Sequence, residues 1–231
     1  MKTIGLIGGM SWESTVTYYQ IINTVVKERL GGLHSARCIL YSVEFDEIER
    51  CQSSGDWERA GAILAEAAAG LERAGADFIV ICTNTMHKVA GQVRAAVSVP
   101  LLHIAQVTAE ELRRQGVERV ALLGTRYTME QDFYQSVLSD SGIEVLIPGE
   151  EARARVNAVI FDELCRGVIS QDSRRAFLDI IAELAGRGAQ GVILGCTEIG
   201  LLVRQEDTPV PLFDTTLLHA KRAALDALEG E

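Results

Sequence analysis

The sequence predicts an α/β protein of two pseudo-symmetric lobes, each a parallel sheet flanked by helices. Three observations predict it. Short, near-continuously apolar runs alternate with longer segments of spaced apolar residues, as in parallel strands buried on both faces. Segments of the first half recur, in order, in the second. The 231 residues, 48% hydrophobic and 23% charged, suit a soluble globular chain with room for one large domain or two small ones.

The elements follow in order. The apolar run at 3–7 reads as the first strand, and the spaced apolar residues of 14–30 as its crossover helix. Strand 36–42 precedes helix 56–73, strand 78–81 precedes helix 86–96, and strand 101–104 precedes helix 105–115. Strand 120–123 leads to helix 129–141, strand 144–146 to helix 152–166, and strand 191–194 follows helix 173–186. A last strand at 212–213 and a helix over 215–228 close the chain. Strands carry their apolar residues in short runs and helices carry theirs at three- and four-residue spacing, which separates the two.

The internal repeat sets the domain organisation. Lys2-Thr3-Ile4-Gly5-Leu6-Ile7-Gly8-Gly9 resembles Glu118-Arg119-Val120-Ala121-Leu122-Leu123-Gly124-Thr125, 116 residues on. Arg73-Ala74-Gly75-Ala76-Asp77-Phe78-Ile79-Val80 resembles Gly186-Arg187-Gly188-Ala189-Gln190-Gly191-Val192-Ile193, 113 residues on. Val99-Pro100-Leu101-Leu102 resembles Val210-Pro211-Leu212-Phe213, 111 residues on. The expected lobes are 1–98 plus 208–231 and 99–207, the final strand and helix returning to the first. The strand C-terminal ends, the ligand edge of open α/β sheets, are expected to meet at a cleft between the lobes.

Composition excludes several functions. A net charge of −10 argues against a nucleic-acid binder, which needs a basic face, and against a polybasic membrane-surface protein. No apolar run approaches the ~20 residues of a membrane span. The first residues run straight into a strand-like segment with no leader pattern, so a cytoplasmic protein is expected. Five cysteines, with no CxxC pair and no histidines at metal spacing, support neither a disulfide framework nor a metal site.

Chemistry is sought after the strands. Gly5-Leu6-Ile7-Gly8-Gly9-Met10-Ser11 is not GxGxxG; it is either an anion-binding loop or a tight turn that needs glycine. Ile81-Cys82-Thr83-Asn84-Thr85-Met86-His87 and Leu194-Gly195-Cys196-Thr197-Glu198-Ile199-Gly200 end matching strands. The 113-residue offset pairs Thr83 with Cys196 and Cys82 with Gly195. Thr83 and Cys196 are thereby expected to face each other across the cleft. Alternation turns Cys82 away from Thr83 and into the core. A thiol at a strand end ahead of a helix can have its pKa lowered and act as base or nucleophile; the competing reading of Cys196 is a packed core thiol. For Cys38, Cys51 and Cys165 packing is the better reading.

Gly8-Gly9-Met10-Ser11, the Asn84-Thr85-Met86-His87 run and Gly195-Cys196-Thr197-Glu198 together resemble the aspartate/glutamate racemase superfamily, over essentially the whole chain. Met10-Ser11 and Glu198 place the resemblance on the aspartate-racemase-like branch. The resemblance implies two α/β lobes, no cofactor, no metal, a homodimer and a small amino-dicarboxylate substrate. It implies two cysteines flanking the substrate Cα, one removing a proton and the other returning one. Here the second is Cys196, and Thr83 stands where the first would be. An unactivated hydroxyl is not ionised near neutral pH, so Cys196 is the expected base; the resemblance implies that the second-half cysteine serves the L-enantiomer, with reprotonation from the Thr83 side.

The resemblance also implies that Met10, Gln52, Thr83, Asn84, Thr85, Thr197 and Glu198 bind substrate. Gln52 stands where some relatives have arginine. Arg126 is a further donor candidate, and His87 is read as capping or packing. The favoured reading is a cofactor-independent racemase of L-aspartate and/or L-glutamate. The alternatives are a one-cysteine decarboxylase or hydantoin-type racemase on the same scaffold, and a non-catalytic amino-acid-binding protein.

Overall fold

A computed structural model of the chain describes residues 1–229. Its first half runs β1 (Ile4–Gly8), α1 (Trp12–Leu30), β2 (Cys38–Ser42), α2 (Phe45–Ser54), α3 (Trp57–Arg73), β3 (Phe78–Ile81), a 3₁₀ turn (Thr85–Val89), α4 (Ala90–Ala96), β4 (Leu101–Leu102) and α5 (Ile104–Arg114). The second runs β5 (Arg119–Gly124), α6 (Arg126–Glu130), α7 (Asp132–Asp140), β6 (Glu144–Leu146), α8 (Glu150–Ala158), a π turn (Val159–Glu163) and a 3₁₀ turn (Leu164–Arg166). It continues through α9 (Gln171–Gly186), β7 (Val192–Gly195), α10 (Ile199–Leu202), a 3₁₀ turn (Gln205–Asp207), β8 (Leu212–Asp214) and α11 (Thr215–Leu228).

The strands form two four-stranded sheets, ordered β2-β1-β3-β4 and β6-β5-β7-β8, and every pairing is parallel. The order is the same in both, as an internal repeat requires. Registers agree too: Ile7 pairs with Ile81, and its repeat partner Leu123 pairs with Leu194.

The chain divides into one unit of residues 1–104 with the described residues from His219 on, and a second of 105–218. Two strands therefore lie on the other sheet from the one expected. β4, expected in the second lobe, pairs with β3 through Ile79–Leu101 and Val80–Leu102. β8, expected in the first, pairs with β7 through Val192–Leu212, Ile193–Phe213 and Leu194–Asp214. The two Val-Pro segments are themselves a repeat, so each sheet receives its own fourth strand. Only the part of α11 beyond Leu218 joins the first unit. There Ala220, Ala223, Ala224 and Ala227 pack among Ile4, Leu6, Tyr18, Ile22, Phe78 and Val80. Alanines on that face let the helix approach the sheet closely.

Strand alternation builds the first unit's core. Phe78, Val80 and Cys82 point to the side of α1 and α11, and Ile79 and Ile81 to the opposite side with Leu64, Leu71, Met86 and Val93. In the second unit Ala121, Leu123, Val192 and Leu194 pack against Val156, Phe177, Ile181 and Leu184.

Some helices differ from expectation. The sequence reading left 45–54 without a helix, but α2 forms there. Glu44 caps it by accepting from the Asp46 and Glu47 N–H groups, and Gly55 ends it in the left-handed region. The helix expected over 129–141 is split, because Gln131 is extended and Asp132 opens a new first turn, where a carboxylate is favoured. The helix expected over 152–166 stops being α-helical after Ala158. Among the described residues no helix is long and apolar enough to cross a membrane.

Candidate functional site

The loop after β1 owes its glycines to packing. A Cβ on Gly8 would stand 2.4 Å from the Thr15 side chain, and one on Gly9 2.3 Å from the Val43 carbonyl. Gly9 also has φ +91, a backbone region that favours glycine. Its N–H donates to Thr15 Oγ1 at 2.9 Å, so this group is engaged within the fold. Of the two readings of the loop, the tight turn accounts for these contacts. Gly124, at the end of β5, repeats the arrangement, with Thr128 Cβ 3.2 Å from where its own Cβ would be. Ser11 then caps α1, its Oγ accepting from the Ser14 N–H at 3.3 Å.

Thr83, Asn84 and Thr85 follow β3. Thr83 is half-buried, and Asn84 and Thr85 are buried. Cys82 is buried on the α1 and α11 side, as alternation predicts. Its N–H donates to the Ile7 carbonyl at 2.9 Å, its carbonyl accepts from Ser14 Oγ at 3.1 Å, and burial raises its thiol pKa beyond the ordinary range. Met10 and the residues around Gln52 belong to the same edge of this unit. Met10 packs in a cluster with Ile48, Cys51 and Met86, and Gln52 Nε2 donates to Met86 Sδ at 3.1 Å. A thioether is a weak acceptor. Of the expected substrate-contacting residues, Met10, Gln52 and Thr83–Thr85 thus gather in the first unit. Cys196, Thr197 and Glu198 gather in the second.

Cys196 is the first residue past β7, as Thr83 is the second past β3. The matched pairs Ile7–Ile81 and Leu123–Leu194 make the two positions equivalent, since each lies two residues beyond its paired strand residue. Cys196 Sγ donates to Glu198 Oε2 at 3.0 Å. Burial pushes the thiol well above its ordinary value, and the negative charge and hydrogen bond of Glu198 add to this, with Cys165 contributing less. The neutral thiol is the resting form. The lowered pKa considered for a thiol at this strand end is not what this environment produces. The helix that follows, α10, has only four residues, and a carboxylate stands beside the sulfur. Arg126 is exposed at the start of α6, its N–H donating to Asn157 Oδ1 at 2.8 Å.

Sequence reasoning missed a buried histidine cluster beneath the β3 turn. His87 Nδ1 lies 2.8 Å from the Thr83 carbonyl, and His87 Nε2 accepts from the Ile104 N–H at 3.2 Å. The ring stands edge-on to His103 at 4.6 Å and to His219 at 5.6 Å. His219 donates from Nε2 to the Leu102 carbonyl at 3.0 Å and accepts at Nδ1 from the Tyr18 hydroxyl at 2.8 Å. Burial lowers all three imidazole pKa values, His103 to about 4 and His219 to about 3. A signal was available, since His87 and His103 each follow a strand end at the candidate edge. Among the described residues no three His, Cys, Asp or Glu side chains are grouped to hold a metal ion.

Comparison with known proteins fits this geometry. The family described as Asp/Glu/Hydantoin racemase matches residues 7–223. A solved Yersinia pestis structure of a proposed Asp/Glu racemase is 56% identical, covers 99% of this chain and 100% of its own, and superposes with a TM-score of 0.95. An aspartate racemase homologue from Pyrococcus horikoshii OT3 is 38% identical over 99% of this chain and 100% of its own, with a TM-score of 0.88. The broad specificity amino-acid racemase RacX of Bacillus subtilis is 24% identical over 94% of this chain and 95% of its own length. With its repeated sheets, strand-end residues and full-length match, the chain belongs to the Asp/Glu/Hydantoin racemase family.

Proposed function

We propose that this protein is a cofactor-independent racemase of L-aspartate and/or L-glutamate, in which Cys196 removes the α-proton and the proton returns from the Thr83 side. The observation that carries the reading is the equivalence of Thr83 and Cys196 after matched strands, one a hydroxyl and the other a thiol hydrogen-bonded to Glu198. A racemase needs a group on each face of Cα. Only the thiol can serve as base in water near neutral pH, because the hydroxyl is essentially un-ionised there. The reaction is therefore asymmetric, faster from the enantiomer that presents its α-hydrogen to Cys196. By family resemblance that is the L-enantiomer. Asn84, Thr85 and Thr197 are assigned to the α-carboxylate, and Met10, Gln52 and Glu198 to the rest of the substrate. The same resemblance supports a homodimer.

A second reading is a one-cysteine decarboxylase of a malonate-type acid. The raised proton affinity of Cys196 favours it, since such a reaction needs one proton donor. Incubation with L- and D-aspartate, L- and D-glutamate and a panel of other L-amino acids in deuterated water separates the readings. The panel is included because the Bacillus relative is a broad-specificity racemase. Deuterium at Cα with inversion is expected from L-aspartate or L-glutamate. Carbon dioxide from malonates without α-exchange of amino acids would replace the racemase reading with the decarboxylase. Ligand-induced stabilisation with neither outcome would leave a binding protein.

A further inference from the structure

We propose that His87, held as the neutral Nδ1–H tautomer, is a positioning residue that ties the Thr83 turn to the start of α5. The inference rests on the racemase reading for its catalytic consequence, and on local geometry for the tie itself.

The tautomer follows from the partners. The Thr83 carbonyl can only accept, so the nitrogen 2.8 Å away must carry the hydrogen. The Ile104 N–H can only donate, so His87 Nε2 must be bare. Both ring nitrogens are thus committed to backbone groups of different elements, and the ring is buried with 3% exposure. The His87 N–H adds a third tie, donating to the Asn84 carbonyl at 3.0 Å. A proton on Nε2 would set two N–H groups against each other. His103, His219 and Arg94, the other titratable groups acting on the ring, all oppose that proton.

The internal repeat shows that the fold does not demand this imidazole. The 113-residue offset puts Gly200 at the place of His87. There the space is taken differently, with Asp214 Oδ2 3.0 Å from where a Gly200 Cβ would be. The strand end is held by Thr215 Oγ1 donating to the Leu194 carbonyl at 2.9 Å. In the second half the carbonyl equivalent to that of Thr83, the Cys196 carbonyl, accepts from the Ile199 backbone N–H at 3.2 Å; the first half spends a buried histidine on the carbonyl of the very residue proposed to face the substrate. A weak proton donor such as a threonine hydroxyl depends on being placed well, because small displacements of a reacting group cost large factors in rate.

Two near-isosteric variants divide the tie. His87→Asn keeps a donor where Nδ1 was and gives up the Ile104 bond. His87→Gln keeps an acceptor near Nε2 and gives up the Thr83 bond. Activity is expected to follow the Thr83 bond: His87→Asn retains kcat within about threefold, whereas His87→Gln loses about tenfold or more in kcat with KM within about twofold. Nitrogen-15 NMR of the wild-type protein at pH 7 is expected to show His87 as the neutral Nδ1–H form. An Nε2–H tautomer or a charged ring overturns the tie whether or not the protein is active, and does so even if neither variant folds. Equal kcat losses in both variants, or full kcat in His87→Gln, overturn the positioning role. A wild-type protein with the expected tautomer but no α-proton exchange on any amino acid overturns the racemase reading, and the catalytic consequence of His87 falls with it.

Discussion

At the scale of single residues, the chemistry turns on a thiol that its surroundings keep protonated. Burial and the Glu198 carboxylate both act against the thiolate of Cys196. A carboxylate there lowers the fraction of thiolate, yet makes any thiolate that forms a stronger base toward a weak carbon acid. Glu198→Gln removes the charge while keeping an acceptor oxygen. The pH midpoint of Cys196 alkylation by iodoacetamide should therefore fall; an unchanged midpoint would show that Glu198 does not govern the thiol. Cys196→Ser should reduce α-proton exchange by more than the ~10²–10⁴-fold usual for one acid–base group, since the proposed mechanism has no second base. Thr83→Cys supplies that second base, and should add exchange from D-aspartate or D-glutamate while keeping the L-reaction. Exchange assays in deuterated water on folded variants check both, and an active Cys196→Ser would refute the assignment.

At the scale of elements, the clearest dependence lies where α11 docks on the first unit. His219 is fully buried, and the Tyr18 hydroxyl satisfies its Nδ1. Tyr18→Phe leaves that nitrogen bare in the core, so denaturant unfolding should show a loss of about 1–3 kcal/mol. A change below ~0.5 kcal/mol would mean the bond contributes little. Such contacts explain what sequence reading reached and what it did not. Strand positions and the inward turn of Cys82 were legible because a strand has a period of two, and a buried parallel strand advertises itself as an apolar run. The equivalence of Thr83 and Cys196 was legible because the repeat carries register as well as content. The allocation of β4 and β8 was misread although the Val-Pro repeat held the answer, because strands of two and three residues have too little pattern to name their neighbours. The histidine cluster was legible only in part: His87 and His103 follow strand ends, but nothing in the sequence joins His219 to them. Tyr18 and His219 are 201 positions apart, and no local pattern announces a contact that only the folded chain makes.

At the scale of the whole molecule, the titratable burial is uneven, and acid should reveal it. All 4 histidines lie in the first unit, and three of them, His87, His103 and His219, are buried with pKa values below the ordinary 6.5. Above pH ~6.5 these three are neutral whether the chain is folded or not, and they add no pH dependence. Below it the unfolded chain takes up protons that the folded unit refuses, so stability falls as the pH drops toward about 4 for His103 and about 3 for His219. Each such group contributes up to ~1.4 kcal/mol per pH unit in that window. Glu72, whose pKa is lowered by its bonds to Ser98 and Val99, acts in the same direction at lower pH. In the second unit, burial raises the pKa of Asp214 against the two backbone N–H groups that cap it. A raised carboxylate pKa has the opposite sign: the folded form binds the proton first, so acidification through that range favours folding. The first unit should therefore open before the second. Hydrogen exchange followed by mass spectrometry at pH 7.5 and pH 5 checks this. Peptides from β1, β3 and the His219–Leu228 part of α11 should lose protection at pH 5 while those from β5 and β7 keep it. Uniform loss across both units would show that the buried imidazoles do not set the acid limit. His219→Gln, which carries no proton in either state, should flatten the pH dependence of the first unit by about one proton's worth. It should do so whatever it costs in stability at pH 7.5.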